Sequence, residues 1–177
     1  MAQIGIFFGT DTGTTRLIAK KIAKRIGDAA AKPVNVNRIT PDEMLAFDAL
    51  ILGTPTYGEG RLPGKTANNQ TESWEEFLPR IADADLAGKT IALYGLGNQE
   101  KHGDHFASGL GYLYRFFEAH GATIVGDWPL EGYDFAHSEA VVDGRFAGLV
   151  IDQNSQAMLT EARLDAWLAQ VLPQLGA

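Results

Sequence analysis

The sequence contains no cysteine. This absence excludes disulfide bonds, thiolate metal sites and iron–sulfur ligation. Long apolar runs are also missing, since none approaches the ~20 residues that a membrane-spanning helix needs. The opening segment MAQIGIFFG lacks the basic residues that precede the apolar part of a signal peptide. We therefore expect a cytoplasmic protein that does not act at a membrane.

Basic side chains are in the minority. The chain has 15 Lys and Arg against 22 Asp and Glu, which gives a net charge of -7. Nucleic acids require Lys and Arg against their phosphates, so nucleic acid is not an expected partner. An acidic surface favours electropositive partners, although it also serves simply to keep a protein soluble. The length of 177 residues and the apolar content of 45% fit one globular domain over residues 1–177.

Short apolar segments and helical patterns alternate along the chain. Strands are predicted at residues 3–8, 33–37, 49–54, 89–95 and 122–126. Helices are predicted at residues 14–26, 41–46, 73–81, 104–121 and 159–172. Gly27 is expected to end the first helix, and Ser73 with Glu76 to begin another as a capping box. The alternation predicts an α/β domain in which helices cover both faces of a five-stranded parallel sheet.

One segment, residues 127–151, departs from this alternation. It is too long for an ordinary connection between a strand and a helix. Two strand-like pieces flank Asp143 and Gly144, a pair typical of a hairpin turn. The apolar residues 147–151 could then rejoin the sheet. The sequence therefore predicts a long insertion in or after the fifth strand.

The unusual loops all follow strands. They are GTDTGTT (9–15), GTPTYGEGRLPG (53–64) and GLGNQEKHGDH (95–105). In open parallel sheets, ligands bind outside the carboxyl ends of the strands, where the strand order reverses. With the order 2-1-3-4-5 these three loops would lie side by side, and we expect the ligand site there.

The first loop is rich in glycine and threonine and runs into a helix. Such a turn offers backbone N–H groups and the positive end of the helix dipole to an anion. Hydroxyls at Thr10, Thr12, Thr14 and Thr15 add further donors. The Walker lysine and the G-x-G-x-x-G pattern are both absent, which disfavours nucleotide hydrolysis and dinucleotides. A phosphate monoester held by neutral donors fits best, although a plain helix cap would need only one of these threonines.

The second loop places an aromatic residue between flexible positions. Tyr57 is followed by Gly58 and Gly60, which would let the backbone approach a ligand. An aromatic at a strand end usually covers the core, but these glycines make Tyr57 a candidate for stacking against a planar ring.

The third loop carries amides and imidazoles. Asn98 and Gln99 are followed by His102 and His105. Two histidines without a third ligand are a weak metal signal. Contact with a ring is the preferred interpretation, and we expect no metal site.

The three loops resemble, in order, the phosphate loop and the two ring-binding loops of flavodoxins. The resemblance runs along the whole chain, and the insertion at 127–151 is the mark of the long-chain subgroup. Segments NVNR, ESWEEFLP and SEAVVDG are most similar to flavodoxins that donate electrons to nitrogenase reductase. The resemblance implies a flavodoxin-like doubly wound sheet of order 2-1-3-4-5 and FMN as the cofactor.

The resemblance also implies the positions that contact FMN. They are Thr10, Asp11, Thr12, Gly13, Thr14, Thr15, Pro55, Thr56, Tyr57, Gly58, Gly60, Leu96, Gly97, Asn98, Gln99, His102, His105 and Phe106. His102 stands where the family usually has a tyrosine, and Asn98 stands where it usually has an aspartate.

The function implied is that of a low-potential, one-electron carrier rather than an enzyme. We expect a monomer that takes electrons from an upstream reductase or oxidoreductase and delivers them to nitrogenase reductase. Asp11, Glu59 and Asp104 are expected to surround the ring with negative charge and no cation nearby, which would lower its potential. The same fold hosts other functions, and the alternative is an FMN-dependent NAD(P)H:quinone or azo reductase. A phospho-acceptor receiver domain is disfavoured, because the third strand ends in Thr54 rather than an aspartate.

Overall fold

A six-stranded parallel sheet forms the centre of the molecule. The computed structural model describes residues 3–10, 13–57 and 59–177. Within them the strands are β1 (Ile4–Phe8), β2 (Val34–Asn35), β3 (Ala49–Thr54), β4 (Thr90–Leu96), β5 (Thr123–Val125), β6 (Val141–Val142), β7 (Arg145–Phe146) and β8 (Leu149–Ile151). The main sheet runs β2-β1-β3-β4-β5, with β8 also paired to β4, while β6 and β7 form a separate hairpin. The predicted strand order is confirmed.

Five α-helices of the described ranges cover the sheet. They are α1 (Thr14–Ile26), α2 (Pro41–Leu45), α3 (Trp74–Phe77), α4 (Ser108–Ala119) and α5 (Thr160–Val171). Gly27 ends α1 with a φ of 80°, as predicted. The Glu76 carboxylate accepts from the Ser73 N–H at 2.8 Å, as expected for a capping box at the start of α3.

Two predicted boundaries were wrong. The second strand covers only Val34–Asn35, because the Asn35 side chain accepts the N–H of Asn37 and the backbone turns into a 3-10 helix. The helix predicted from residue 104 begins only at Ser108. Ala107 has a φ of 51°, a left-handed conformation that interrupts a helix before that point.

The core consists of two apolar layers, one on each face of the sheet. Successive side chains of a strand point to opposite faces. On β3, Leu50 and Leu52 pack in the layer that contains Trp74, whereas Ile51 packs in the layer that contains Trp167. β3 is buried along its whole length. Its sequence is therefore a continuous apolar run, which is typical of a parallel sheet covered on both faces.

The insertion splits the fifth strand. β5 pairs with the first half of β4, at Thr90–Ala92. β8 continues the same edge and pairs with the second half of β4, at Tyr94–Leu96. Between them, the predicted hairpin turn is confirmed: Asp143 and Gly144 have φ values of 52° and 79°, as a type I′ turn requires. The segment 147–151 rejoins the sheet at Leu149.

No helix in the described ranges is long and apolar enough to cross a bilayer.

Candidate functional site

The three loops meet at the carboxyl edge of the sheet, around a cavity of about 320 Å³. This volume is in the range of small-molecule sites. Eight of the predicted site residues line the cavity: Thr14, Pro55, Thr56, Tyr57, Leu96, Gly97, Asn98 and His102. A recess of about 90 Å³ between the second and third loops shares Tyr57 and His102 and adds His105. The structure therefore brings together side chains that are far apart in the sequence.

The other predicted residues are placed differently. Asp11, Thr12 and Gly58 lie outside the described residues. Six further predicted residues do not line the cavity: Thr10, Gly13, Thr15, Gly60, Gln99 and Phe106. Phe106 is fully buried, with its ring centre 5.3 Å from that of Phe135. Phe106 is thus a core residue, and its contact with the ring stays a prediction.

The first loop leads into α1 without a side-chain cap. Gly13 is the residue that precedes the helix, with a φ of 96° and no capping side chain. Its N–H donates to the hydroxyl of Thr10 at 2.9 Å. The threonines are therefore not explained as an ordinary helix cap, in which a side chain at this position accepts from the first turn.

The first turn of α1 has the chemistry of an anion site. The Thr15 side chain is only 1% exposed, and no hydrogen-bond partner for its hydroxyl is present among the described residues. A buried hydroxyl without a partner is costly, and a native structure usually has a reason for one. The first turn contains no acidic residue, and a helix N-terminus attracts negative charge. These residues fit a phosphate group.

Two buried aromatic side chains fix the backbone around this loop. Trp74 donates its indole N–H to the carbonyl of Gly53 at 2.8 Å. Tyr94 donates its hydroxyl to the carbonyl of Thr15 at 3.1 Å, and burial raises the pKa of Tyr94. The Tyr94 ring passes over Gly53, where a Cβ would lie 1.9 Å from the ring. The lack of a side chain at Gly53 therefore lets Tyr94 reach Thr15, at the end of the first loop.

The second loop is a tight turn. Tyr57 and Arg61 exchange two backbone hydrogen bonds, at 2.9 Å and 2.7 Å. Gly60 has a φ of 84° within this turn. The hydroxyl of Thr56 accepts the N–H of Gly109 at 2.9 Å and so anchors the loop to α4. Tyr57 is thus presented at the cavity by a short and well-anchored segment.

The third loop is held by a buried carboxylate that the sequence reasoning missed. Asp152 is fully buried and follows β8. One of its oxygens accepts from the backbone N–H of Gln99 at 3.0 Å and from the side-chain amide of Gln99 at 2.8 Å. The other accepts from the N–H groups of Asn154 and Ser155, at 3.1 Å and 2.8 Å. Asp152 thus engages both donors of Gln99, and the contact of Gln99 with the ring stays a prediction.

The wall of the cavity includes a positively charged residue that the sequence analysis did not identify. Lys101 lines the cavity, whereas Glu59 and Asp104 do not. A cationic residue therefore borders the cavity in which the ring is expected. Gln153 and Asn154 also line the wall and were missed. The rule that ligands bind beyond strand ends, applied to the strand at 147–151, would have found them.

No group of three or more His, Asp or Glu placed to hold a metal ion occurs in the part of the chain that the structure describes.

Comparisons with known proteins agree with this architecture. The chain matches the flavodoxin family over residues 6–167. It is 53% identical over 171 residues to a flavodoxin from Klebsiella pneumoniae, with 97% of each chain covered. It is 47% identical over 174 residues to a flavodoxin from Enterobacter agglomerans, with 98% of each chain covered. Among solved structures it is similar to Fusobacterium nucleatum flavodoxin bound to flavin mononucleotide, with a TM-score of 0.88, 33% identity and 99% of each chain covered.

Proposed function

Because the chain belongs to the flavodoxin family, we propose that it binds FMN at the carboxyl edge of the sheet and carries electrons between proteins. The observation that carries this proposal is the first turn of α1, where the buried Thr15 hydroxyl has no hydrogen-bond partner among the described residues and the preceding residue, Thr14, lines the cavity. FMN, when bound, supplies the redox chemistry by accepting and returning single electrons. The split fifth strand places the chain in the long-chain subgroup.

The first loop would hold the phosphate with neutral donors. Thr14 lines the cavity, and the hydroxyls of Thr10 and Thr15 lie in the same loop and helix turn. Asp11 and Thr12 are proposed to complete the loop. Because these donors carry no charge and the helix dipole is only a partial one, the loop would bind the phosphate without neutralising it.

The second and third loops would hold the ring. Tyr57 and His102 both border the cavity and the smaller recess. Tyr57 supplies a large apolar face, and the backbone at Gly97 and Asn98 supplies polar groups at the edge. His102 is exposed, so a ring bound there would keep one edge accessible to a partner protein. An accessible edge is what an electron carrier needs.

The polar residues around the ring site would determine how readily a bound flavin accepts an electron. Lys101 on the wall favours added negative charge, and a protonated His102 would do the same. Neither residue needs to move a proton to a substrate. The residues at the site would orient the flavin and adjust its redox potential. This role is the one expected for an electron carrier rather than an enzyme.

The partners and the location remain proposals. We propose that the protein is a cytoplasmic monomer that delivers electrons to nitrogenase reductase after an electropositive reductase or oxidoreductase has reduced it. The support is the resemblance of segments NVNR, ESWEEFLP and SEAVVDG to flavodoxins of this type. One of these segments contains Trp74, which donates its indole N–H to the carbonyl of Gly53 in β3.

Two experiments test these proposals. Purified apoprotein is titrated with FMN while the flavin fluorescence is recorded, and stoichiometric quenching is expected. The loaded protein is then reduced with dithionite and mixed with nitrogenase reductase in a stopped-flow instrument, where rapid reoxidation is expected. If the loaded protein instead consumes NAD(P)H rapidly in the presence of a quinone, it is a reductase and the carrier proposal is wrong.

A further inference from the structure

A second groove, with the opposite charge to the rest of the molecule, lies between α1 and the edge of the sheet. It has a volume of about 410 Å³. Its floor includes Phe8, Pro33 and Val34, and its cationic lining residues are Arg16, Lys20, Lys32 and Arg38. It shares none of its lining residues with the proposed FMN cavity. We call it the cationic groove.

The charges of the cationic groove are available for binding. All four cationic residues are exposed. None of them forms an ion pair with a described acidic residue. Arg16 lies over the ring of Phe8, with its guanidinium carbon 5.7 Å from the ring centre. A chain with a net charge of -7 thus carries a local concentration of unneutralised positive charge.

The shape and chemistry of the groove indicate its occupant. A bare phosphate would favour converging donors, whereas here the cations stand around an apolar floor. An occupant that carries both carboxylates and apolar side chains matches both features. Such segments occur on acidic proteins, and complementary charge would steer and orient them. We propose that the cationic groove docks an acidic, partly apolar segment of a partner protein.

The docking would use side chains rather than extend the sheet. β2 is at the end of the main sheet, and exposed edge strands can pair with incoming chains. β2 has only two residues, and Lys32 and Pro33 precede it. A short strand, a lysine and a proline all discourage strand addition. Contacts with the floor and the four cations therefore remain as the source of affinity.

The groove lies close to the proposed electron-carrying site along the chain. Phe8 ends the strand that precedes the first loop, and Arg16 is two residues after Thr14, which lines the cavity. A partner held in the groove would thus contact the residues on either side of the first loop.

The test uses a short peptide of alternating glutamate and leucine added to ¹⁵N-labelled, FMN-loaded protein. We expect saturable changes of the amide signals confined to residues 16–20 and 32–38, and weaker binding at higher salt. The double variant Lys20→Glu with Lys32→Glu should bind at least about tenfold more weakly. Lys24→Glu with Lys65→Glu changes the net charge equally outside the groove, and should bind within about twofold of the parent.

Several results would overturn the proposal. The first is the absence of saturable changes in the amide signals when the peptide is added. The second is a control variant that loses as much peptide affinity as the groove variant. The third is a peptide with glutamine in place of glutamate that binds as tightly as the original peptide. Displacement of the peptide by a lower concentration of tripolyphosphate would also overturn it, and would indicate a small-anion site. FMN uptake is measured on every variant and should not change. Loss of FMN binding in the parent would contradict the proposed function without affecting the groove.

Discussion

Replacing Thr15 by valine should weaken FMN binding and yet stabilise the apoprotein. Valine has nearly the same shape as threonine but lacks the hydroxyl. The Thr15 hydroxyl is buried without a partner among the described residues. Its burial without a hydrogen bond costs about 1 to 3 kcal/mol, so its removal should raise the free energy of unfolding of the apoprotein by about 1 kcal/mol. For a chain of this size, the melting temperature should rise by about 3 °C.

The same substitution should have the opposite effect on the complex. A hydrogen bond to a charged phosphate contributes about 1.5 to 3 kcal/mol. Its loss corresponds to a dissociation constant for FMN that is about 10- to 100-fold higher. Riboflavin lacks the phosphate, so its affinity should be the same for Thr15→Val and for the parent. Fluorescence titrations with both flavins, together with urea unfolding of the apoprotein, measure all three quantities.

The control is Thr123→Val, at an exposed position on β5 far from the loops. It should change neither flavin affinity nor stability by more than about 0.5 kcal/mol. The reasoning is refuted if Thr15→Val binds FMN as tightly as the parent. It is also refuted if the variant apoprotein is less stable, because the hydroxyl would then have a partner in the absence of flavin.

Two further predictions concern the ring and its support. Lys101→Gln should make the potential at which the bound flavin accepts its second electron more negative by about 20 mV. This is the shift expected when one unit charge ~8 Å from the ring is removed in a nearly aqueous environment. A redox titration that shows no change, or the same change in Lys24→Gln, would contradict this prediction. Asp152→Ala should lower the free energy of unfolding by about 3 kcal/mol, because four partly buried donors lose their acceptor, whereas the exposed Asp83→Ala should have little effect in the same urea unfolding assay.

The strand order and the position of the site could be predicted because they depend on local patterns. Buried strands such as β3 are continuous apolar runs, and the rule that ligands lie beyond strand ends needs only the order of the elements. The αL residues of the hairpin turn at Asp143 and Gly144 follow from their types. These features require no knowledge of which distant side chains meet.

The errors arose where tertiary contacts decide. The sequence of residues 104–107 is compatible with a helix, but Phe106 is drawn into an aromatic cluster with residues of the insertion. The backbone then passes through a left-handed conformation at Ala107. Lys101 was overlooked because an exposed lysine in a loop gives no pattern. Asp152 was overlooked because its role depends on partners at Gln99 and Ser155, which are hydrogen-bonded to it only in the folded chain.

The split of the fifth strand explains how the insertion can influence the site without lining it. The side-chain oxygen of Gln99 accepts the N–H of Asp134, in the insertion, at 2.7 Å. The side-chain amide of the same residue donates to Asp152, beyond β8, at 2.8 Å. One side chain in the third loop therefore joins the segments that precede and follow the hairpin. Because the insertion both delivers β8 to β4 and binds Gln99, it fixes the third loop from two sides. The geometry of the ring site therefore depends on a segment whose residues do not line that site.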